Sequence, residues 1–304
     1  MTEHTRRRAL LAGGAGVTAL ATGGLWLAGR GTAAPVAAPV WHDPPEPGDN
    51  APGTVPAQPG PPGVERAGAL TAANAGDLVK VSTSGWYNWA LMDRTTGEIL
   101  GSKNMHETNM TASMIKAWLA ADYLRRAAAA GRTPSPAQLA DVRKMIRDSD
   151  NDVASALWNE LGGRETIARL ISICKLTDSE AGPDWSKTLL SARDTCRIAH
   201  AIGTGTAAGP KWTGYLIDEM RAVRGDGNFG IRRVFPAAEQ PTIAIKNGWV
   251  QRSALGVWNV NCLALGDDWT MAVLTKYPIG LGMSHGVNIA KSVTTQVRTA
   301  SSLI

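Results

Sequence analysis

The chain has 304 residues, 44% of them hydrophobic and 19% charged, with 33 Gly, 17 Pro and 11 Trp. That apolar fraction excludes a wholly disordered protein, and the Pro and Gly lack any collagen-like period; the length suffices for one large domain or two small ones. The formal charge is +5, but Arg6, Arg7, Arg8 and Arg30 stand against Glu3 alone within residues 1–34, and the remainder carries only +2. So small a surplus gives nucleic-acid binding no electrostatic warrant.

Thr5-Arg6-Arg7-Arg8-Ala9-Leu10 precedes an uncharged Gly/Ala-rich run to Gly29. A cationic end before a short apolar stretch reads as an export signal over residues 1–34. Its paired arginines and weakly hydrophobic, glycine-rich core resemble a twin-arginine signal, which carries proteins already folded; a general secretory signal or an uncleaved anchor is the alternative. Pro35 and Pro39 behind the small residues leave the cleavage point open, and no Cys nearby marks a lipid anchor. Ten prolines lie between Pro35 and Pro62 among Gly, Asp and Glu, a composition that buries too little apolar surface to fold. Residues 35–68 are therefore expected to be a linker and 69–304 the folded domain.

Within that domain Trp86–Met92 and Glu98–Ser102 flank Thr95-Thr96-Gly97 and predict a β-hairpin. Residues 112–130, 136–147, 151–161, 164–175, 191–203 and 212–223 have apolar faces at helical period. Thr242–Val250, Val257–Leu265 and Thr270–Lys276 are β-branched apolar runs, the last two joined at Gly266-Asp267-Asp268, and a last amphipathic helix is expected over 284–301. The order hairpin, helices, three strands, helix predicts an α+β fold: one antiparallel sheet carrying terminal helices, with a helical lobe inserted.

Cys174, Cys196 and Cys262 show no metal-ligand spacing; two fall in predicted helices, where a small buried thiol is the expectation, with a single disulfide the alternative. The five histidines are far apart, and no metal or other cofactor is expected. Gly282-Met283-Ser284-His285-Gly286 matches the G-x-S-x-G elbow of hydrolases. That mechanism needs an acid and a His after the serine, and no His, Asp or Glu follows Gly286. The stretch reads instead as a turn capping the last helix.

Ser113-Met114-Ile115-Lys116 opens a predicted helix, and i, i+3 spacing puts both side chains on one face. A serine hydroxyl needs a base beside it, and a lysine serves when burial and positive neighbours lower its pKa. The helix N-terminus also offers unpaired N–H groups for an oxyanion. S-x-x-K alone is weak, since Ser172-Ile173-Cys174-Lys175 matches it at the end of a helix. The first copy has company: Ser149-Asp150-Asn151 at the junction of two predicted helices, where a plain N-cap is the structural alternative, and Lys246-Asn247-Gly248 where a strand is expected to lead into a turn.

In this order the three elements resemble those of the penicillin-recognising serine enzymes, the class A β-lactamases and related penicillin-binding proteins. The resemblance spans about residues 69–304 and implies that family's two-lobed β-lactamase-like fold. It implies Ser113 as acylated nucleophile, Lys116 as its base or proton relay and Ser149 as proton shuttle to the leaving nitrogen. Asn151 would bind a substrate amide, and Lys246 would supply positive charge to Ser149 and to a substrate carboxylate. The substrate would lie along the edge strand, with the N–H groups of Ser113 and Trp249 as oxyanion hole. Two departures stand out. Asn247 replaces the usual Thr or Ser, though its amide can still donate to a carboxylate. The Glu-x-x-Leu-Asn loop of class A is absent from Asp178–Lys187, where Glu180 and Asp184 are the candidate acids.

The expectation is an exported serine hydrolase, monomeric, acting through a Ser113 acyl-enzyme on β-lactams or cell-wall peptides, with membrane contact only through its signal. A missing base typically costs about 10²–10⁴-fold, so the acyl-enzyme should clear slowly. A D,D-peptidase-like enzyme, a non-hydrolytic penicillin- or peptide-binding module and a serine esterase are the alternatives.

Overall fold

The structure is a computed structural model that describes residues 70–304, so the signal and linker expected over 1–34 and 35–68 lie outside the described residues. Along the chain come α1 (Ala75–Leu78), β1 (Trp86–Asp93), β2 (Ile99–Gly101), β3 (Thr108–Met110), α2 (Lys116–Ala129), α3 (Pro136–Arg147), α4 (Asn151–Glu160) and α5 (Arg164–Cys174). They are followed by β4 (Leu189–Ser191), α6 (Ala192–Gly203), α7 (Thr213–Arg221), β5 (Ala244–Ile245), β6 (Gly248–Arg252), β7 (Val257–Leu265), β8 (Trp269–Pro278) and α8 (Gly282–Ala300).

The hairpin closes as its turn residues dictate. Asp93 Oδ1 accepts from the Thr95 and Thr96 N–H groups at 2.7 and 3.0 Å, and Gly97 takes φ +79°, a left-handed value that costs glycine little. The main sheet is antiparallel in the order β2-β1-β8-β7-β5, with β6 also on β7. Every residue of β7 from Asn259 to Leu265 is buried. Side chains alternate faces along a strand, so both faces of the sheet are covered here. α6 packs against the sheet, where Thr270 Oγ1 donates to the Cys196 carbonyl at 3.1 Å, and α8 packs where Gly286 meets Tyr277 and Val260. The architecture is thus the expected α+β one.

The helical part is built around α2, buried at every residue from Lys116 to Leu124, as a helix enclosed on all sides must be. Asp122 within it is fully buried against Arg125, Arg169 and the Thr166 hydroxyl. The neighbouring helices start where their caps are. Ser135 and Gln138 form a reciprocal capping box ahead of Pro136 in α3, Asp150 accepts from the Val153 N–H at 2.9 Å to start α4, and Ser191 caps α6.

Four differences from the sequence reading have physical causes. The expected helix over 112–130 opens as a 3₁₀ turn, Ala112–Ile115, before α2 begins. The expected turn at Lys246-Asn247-Gly248 is absent. Ile245 pairs with Ala264 and Gly248 with Asn261 in one register, and Lys246 N–H donates to the Leu263 carbonyl at 3.1 Å. The edge strand therefore runs straight through the motif. Gly282–Gly286 forms the first turn of α8 rather than a separate turn capping it. β3 and β4, three residues each and paired only with one another, are too short for a period to show. The second S-x-x-K does end α5, with Lys175 in the left-handed region, and all three cysteines are buried and unpaired.

A buried amide network fixes the segment just before Ser113. Asn109 on β3 donates to Asn261 Oδ1 at 3.2 Å and to the Thr275 carbonyl at 2.9 Å, and accepts from Asn259 Nδ2 at 2.9 Å. Asn261 Nδ2 in turn holds the Met110 carbonyl at 2.8 Å. Buried polar groups lose heavily when one partner is removed. Asn109→Ala is expected to lower stability by about 3 kcal/mol, read as a lower midpoint in urea unfolding at unchanged slope.

Candidate active site

Ser113 sits on the 3₁₀ turn, 9% exposed, on the wall of a cleft of about 360 Å³ that Ala112, Ser149, Asn151, Trp185 and Trp249 also line. Ala112 before it holds φ +49°, a region where non-glycine residues store about 1–3 kcal/mol of strain. In a 3₁₀ turn residues i and i+3 eclipse, so Lys116 rises on the face that carries Ser113.

The Lys116 ammonium is buried. It donates to the Ser149 carbonyl at 2.6 Å, to Asn151 Oδ1 at 2.6 Å and to Ser149 Oγ at 3.3 Å, and lies 4.7 Å from the centre of the Trp185 ring. Burial brings its pKa down to about 7, against a small opposing pull from Asp150. In the neutral form two N–H bonds serve the two short acceptors and one lone pair remains to take a proton. Among the described residues no side chain, Lys116 included, hydrogen-bonds Ser113 Oγ.

Ser149 adopts φ +62° at the α3–α4 junction, which turns its hydroxyl between two lysines. Lys246 Nζ donates to Ser149 Oγ at 3.0 Å from the opposite side, and Lys246 is fully buried. Burial, then the nearby Lys116, holds the Lys246 pKa well below the ordinary lysine range. Asn151 spends its Oδ1 on Lys116 and keeps its Nδ2 donor for the cleft. Asp150 is the plain cap foreseen as the structural alternative, ion-paired with Lys144 at 2.6 Å.

The edge strand explains the glycine. A Cβ at Gly248 would fall under 3.0 Å from the Thr111 carbonyl oxygen and the Met114 and Ser113 nitrogens, so only glycine lets the strand touch the turn bearing Ser113. The register also orients the next residue. Lys246 and Leu263 form a hydrogen-bonded pair, and pairs alternate along an antiparallel ladder. Trp249, opposite Val260, is therefore a non-bonded position whose N–H faces the open edge. Asn247 does not do what the sequence suggested. It is buried, and Nδ2 donates to the Gly227 and Phe229 carbonyls at 3.0 and 2.8 Å. Alternation along the strand turns it away from the cleft, so it ties down the 227–229 loop and has no donor left for a carboxylate.

The loop between α5 and β4 brings no acid to the serine. Glu180 is exposed and takes part only in a backbone bridge to Leu189. Asp184 caps the turn 185–187 by accepting from the Ser186 N–H at 2.9 Å and pairs with Lys187. What faces the cleft is Trp185, whose indole N–H donates to Ser155 Oγ at 3.2 Å, and Ser186, whose carbonyl is held by Arg252 at 2.7 Å. The one carboxylate lining the cleft is Asp148, gripped by Arg224 at 2.6 and 2.8 Å, which holds it below the usual carboxylate range. Sequence reasoning missed Asp148, Trp185 and the strained Ala112, since no motif or period marks them.

Residues 132–278 match a family model described as the β-lactamase enzyme family, a stretch that includes Ser149 and Lys246 and begins after Ser113 and Lys116. The fold is similar to the crystal structure of the TLA-1 extended-spectrum β-lactamase, at TM-score 0.62 and 13% identity over 71% of this chain and 92% of that one. It is also similar to a β-lactamase from Chitinophaga pinensis, at TM-score 0.59 and 16% identity over 71% and 94%. At such identities the likeness shows the fold. A curated relative from Mycobacterium tuberculosis, named "Putative lipoprotein LppW", is 25% identical over 167 residues, 53% of each chain. The chain thus spans about half the length of the curated relatives it matches.

The close approach at Gly248 gives a direct check on this geometry. Gly248→Ala must displace the edge strand from the serine turn, because all three clashing atoms are backbone. The expected outcome is a protein still folded by circular dichroism but about 1–3 kcal/mol less stable in urea unfolding, in the range that overpacking costs.

Proposed function

We propose that this chain is a serine enzyme of the β-lactamase-like superfamily, an exported acyl-enzyme former that opens β-lactams or related cell-wall peptide amides through Ser113. The observation that carries the reading is the Ser149 hydroxyl held at 3.0 and 3.3 Å by two buried lysines on the wall that Ser113 shares.

The steps follow from that arrangement. Neutral Lys116 accepts the Ser113 proton as Oγ attacks the amide carbonyl carbon. The developing oxyanion sits between the Ser113 and Trp249 N–H groups, donors of the kind worth about 3 kcal/mol each in such steps. When the C–N bond breaks, the Ser149 hydroxyl gives its proton to the departing nitrogen. The proton now on Lys116 then replaces it through the 3.3 Å contact, leaving Lys116 neutral. Asn151 Nδ2 grips a substrate carbonyl, and the Lys246 ammonium, when protonated, favours a substrate carboxylate near Ser149.

Hydrolysis of the ester is the slow half. Water needs a general base, and the single cleft carboxylate is held ionised and weakly basic by Arg224. This favours a long-lived acyl-enzyme over rapid lactamase turnover, and it keeps a penicillin- or peptide-binding role as the second reading. Export rests on the arginine-led, Gly/Ala-rich start and on the lipoprotein name of the mycobacterial relative. A monomer is the form proposed.

Intact-protein mass spectrometry after exposure to benzylpenicillin tests the reading. A mass increase of one penicillin, persisting for minutes and absent in Ser113→Ala, is expected; no adduct on the wild type overturns it. Turnover of a simple ester without any β-lactam adduct would point to an esterase.

The pH dependence has a definite sign. Lys116 must be neutral to act and its pKa is about 7, so the acylation rate should climb as pH rises through about 7 and level off above it. A rate that is flat from pH 5 to 9, or that falls across this span, contradicts the assignment of Lys116 as base.

A further inference from the structure

Away from the cleft, α2, α3 and α4 enclose a groove of about 250 Å³. Its apolar walls include Val142 from α3 and Val153 and Leu157 from α4, and it is lined also by Tyr123 of α2. Tyr123 is only 3% exposed, and its hydroxyl has no hydrogen-bond partner. Buried phenols normally find one, because a hydroxyl oxygen that neither donates nor accepts forfeits its hydration for nothing. Asp141 and Glu160 stand on the same groove, both exposed, and neither enters a hydrogen bond or ion pair among the described residues. Burial first, then the Glu160 carboxylate and to a lesser degree Asp141, raise the phenol's pKa, while Arg132 opposes them. Both carboxylates therefore lie within electrostatic reach of the hydroxyl.

We propose that this groove is a binding site for a primary ammonium carried on a compact apolar body. The ammonium donates to the Tyr123 oxygen, which accepts its first hydrogen bond, and the two carboxylates neutralise the charge. The apolar body fills the space between Val142, Val153 and Leu157. A neutral ligand of the same shape would satisfy the walls but leave the carboxylates nothing to attract. An anion would meet two like charges at the groove's rim. The site is independent of Ser113 chemistry, and its occupant sits between the two helices whose junction carries Ser149 and Asn151.

Isothermal titration calorimetry of the full chain with cyclohexylammonium, and with cyclohexanol as neutral match, tests this without recourse to any activity. Saturable one-to-one binding of the ammonium is expected, with cyclohexanol weaker by about tenfold or more, the worth of one charge-assisted hydrogen bond. Tyr123→Phe should weaken the ammonium about tenfold. The same variant, freed of an unmet buried hydroxyl, should melt no lower than the wild type when no probe is present, which separates loss of the site from loss of the fold. Asp141→Asn with Glu160→Gln should weaken the ammonium several-fold and leave cyclohexanol unchanged. Equal binding of the two probes, unaltered binding by Tyr123→Phe, or no saturable binding at millimolar probe would each overturn the proposal.

Discussion

Two lysines buried against one serine hydroxyl set the terms for the rest of the site. Moving Lys116 from the ordinary pKa of 10.5 down to about 7 corresponds to roughly 5 kcal/mol of disfavoured charge. The fold must supply that from elsewhere, since among the described residues no carboxylate pairs with either Nζ. The lysines are held by carbonyl and amide oxygens and by Ser149 itself. Such an arrangement is poor for stability and good for proton movement. It keeps one amine able to take a proton near neutral pH beside a hydroxyl able to pass one on.

The surrounding elements serve that constraint. The strained Ala112 and Ser149 aim their turns into the cleft, the kind of backbone cost that persists only where packing over-determines it. The amide network from Asn109 to Asn259 and Asn261 locks the segment before Ser113 onto the sheet. Asn259 extends it by accepting from Arg252, which holds the Ser186 carbonyl. One continuous set of polar contacts, buried at the asparagines and part-buried at Arg252, therefore joins the serine turn, the edge strand and the loop carrying Trp185. That loop delivers an aromatic face to Lys116 rather than a second carboxylate. Trp185 helps keep water from the amine.

The α+β order and most helix boundaries were legible because they rest on local chemistry. Apolar residues recurring at helical period marked the helices, and Thr95-Thr96-Gly97 marked the hairpin; in the structure Ser135, Asp150 and Ser191 cap three of those helices. The three motifs were legible only as spacings, and their meeting at one cleft is a property of the long-range packing of α2, the α3–α4 junction and the edge strand. Asn247 shows the limit. Its side-chain chemistry suited a carboxylate, but strand alternation turns it toward the Gly227 and Phe229 carbonyls. Trp185, Asp148 and the unpartnered Tyr123 hydroxyl carry no sequence signature, since each is defined by what distant segments place, or fail to place, beside it.

The central claim is that Lys116 is an amine able to be neutral near pH 7 because the fold strips it of water. It is tested most directly by carbon-13 NMR titration of the lysine ε-carbons, with the Lys116 resonance identified by its loss in Lys116→Arg. The account expects the Lys116 ε-carbon to titrate near pH 7, apart from the surface lysines, with the buried Lys246 also displaced below them. A Lys116 that titrates with the others, around 10.5, would contradict it.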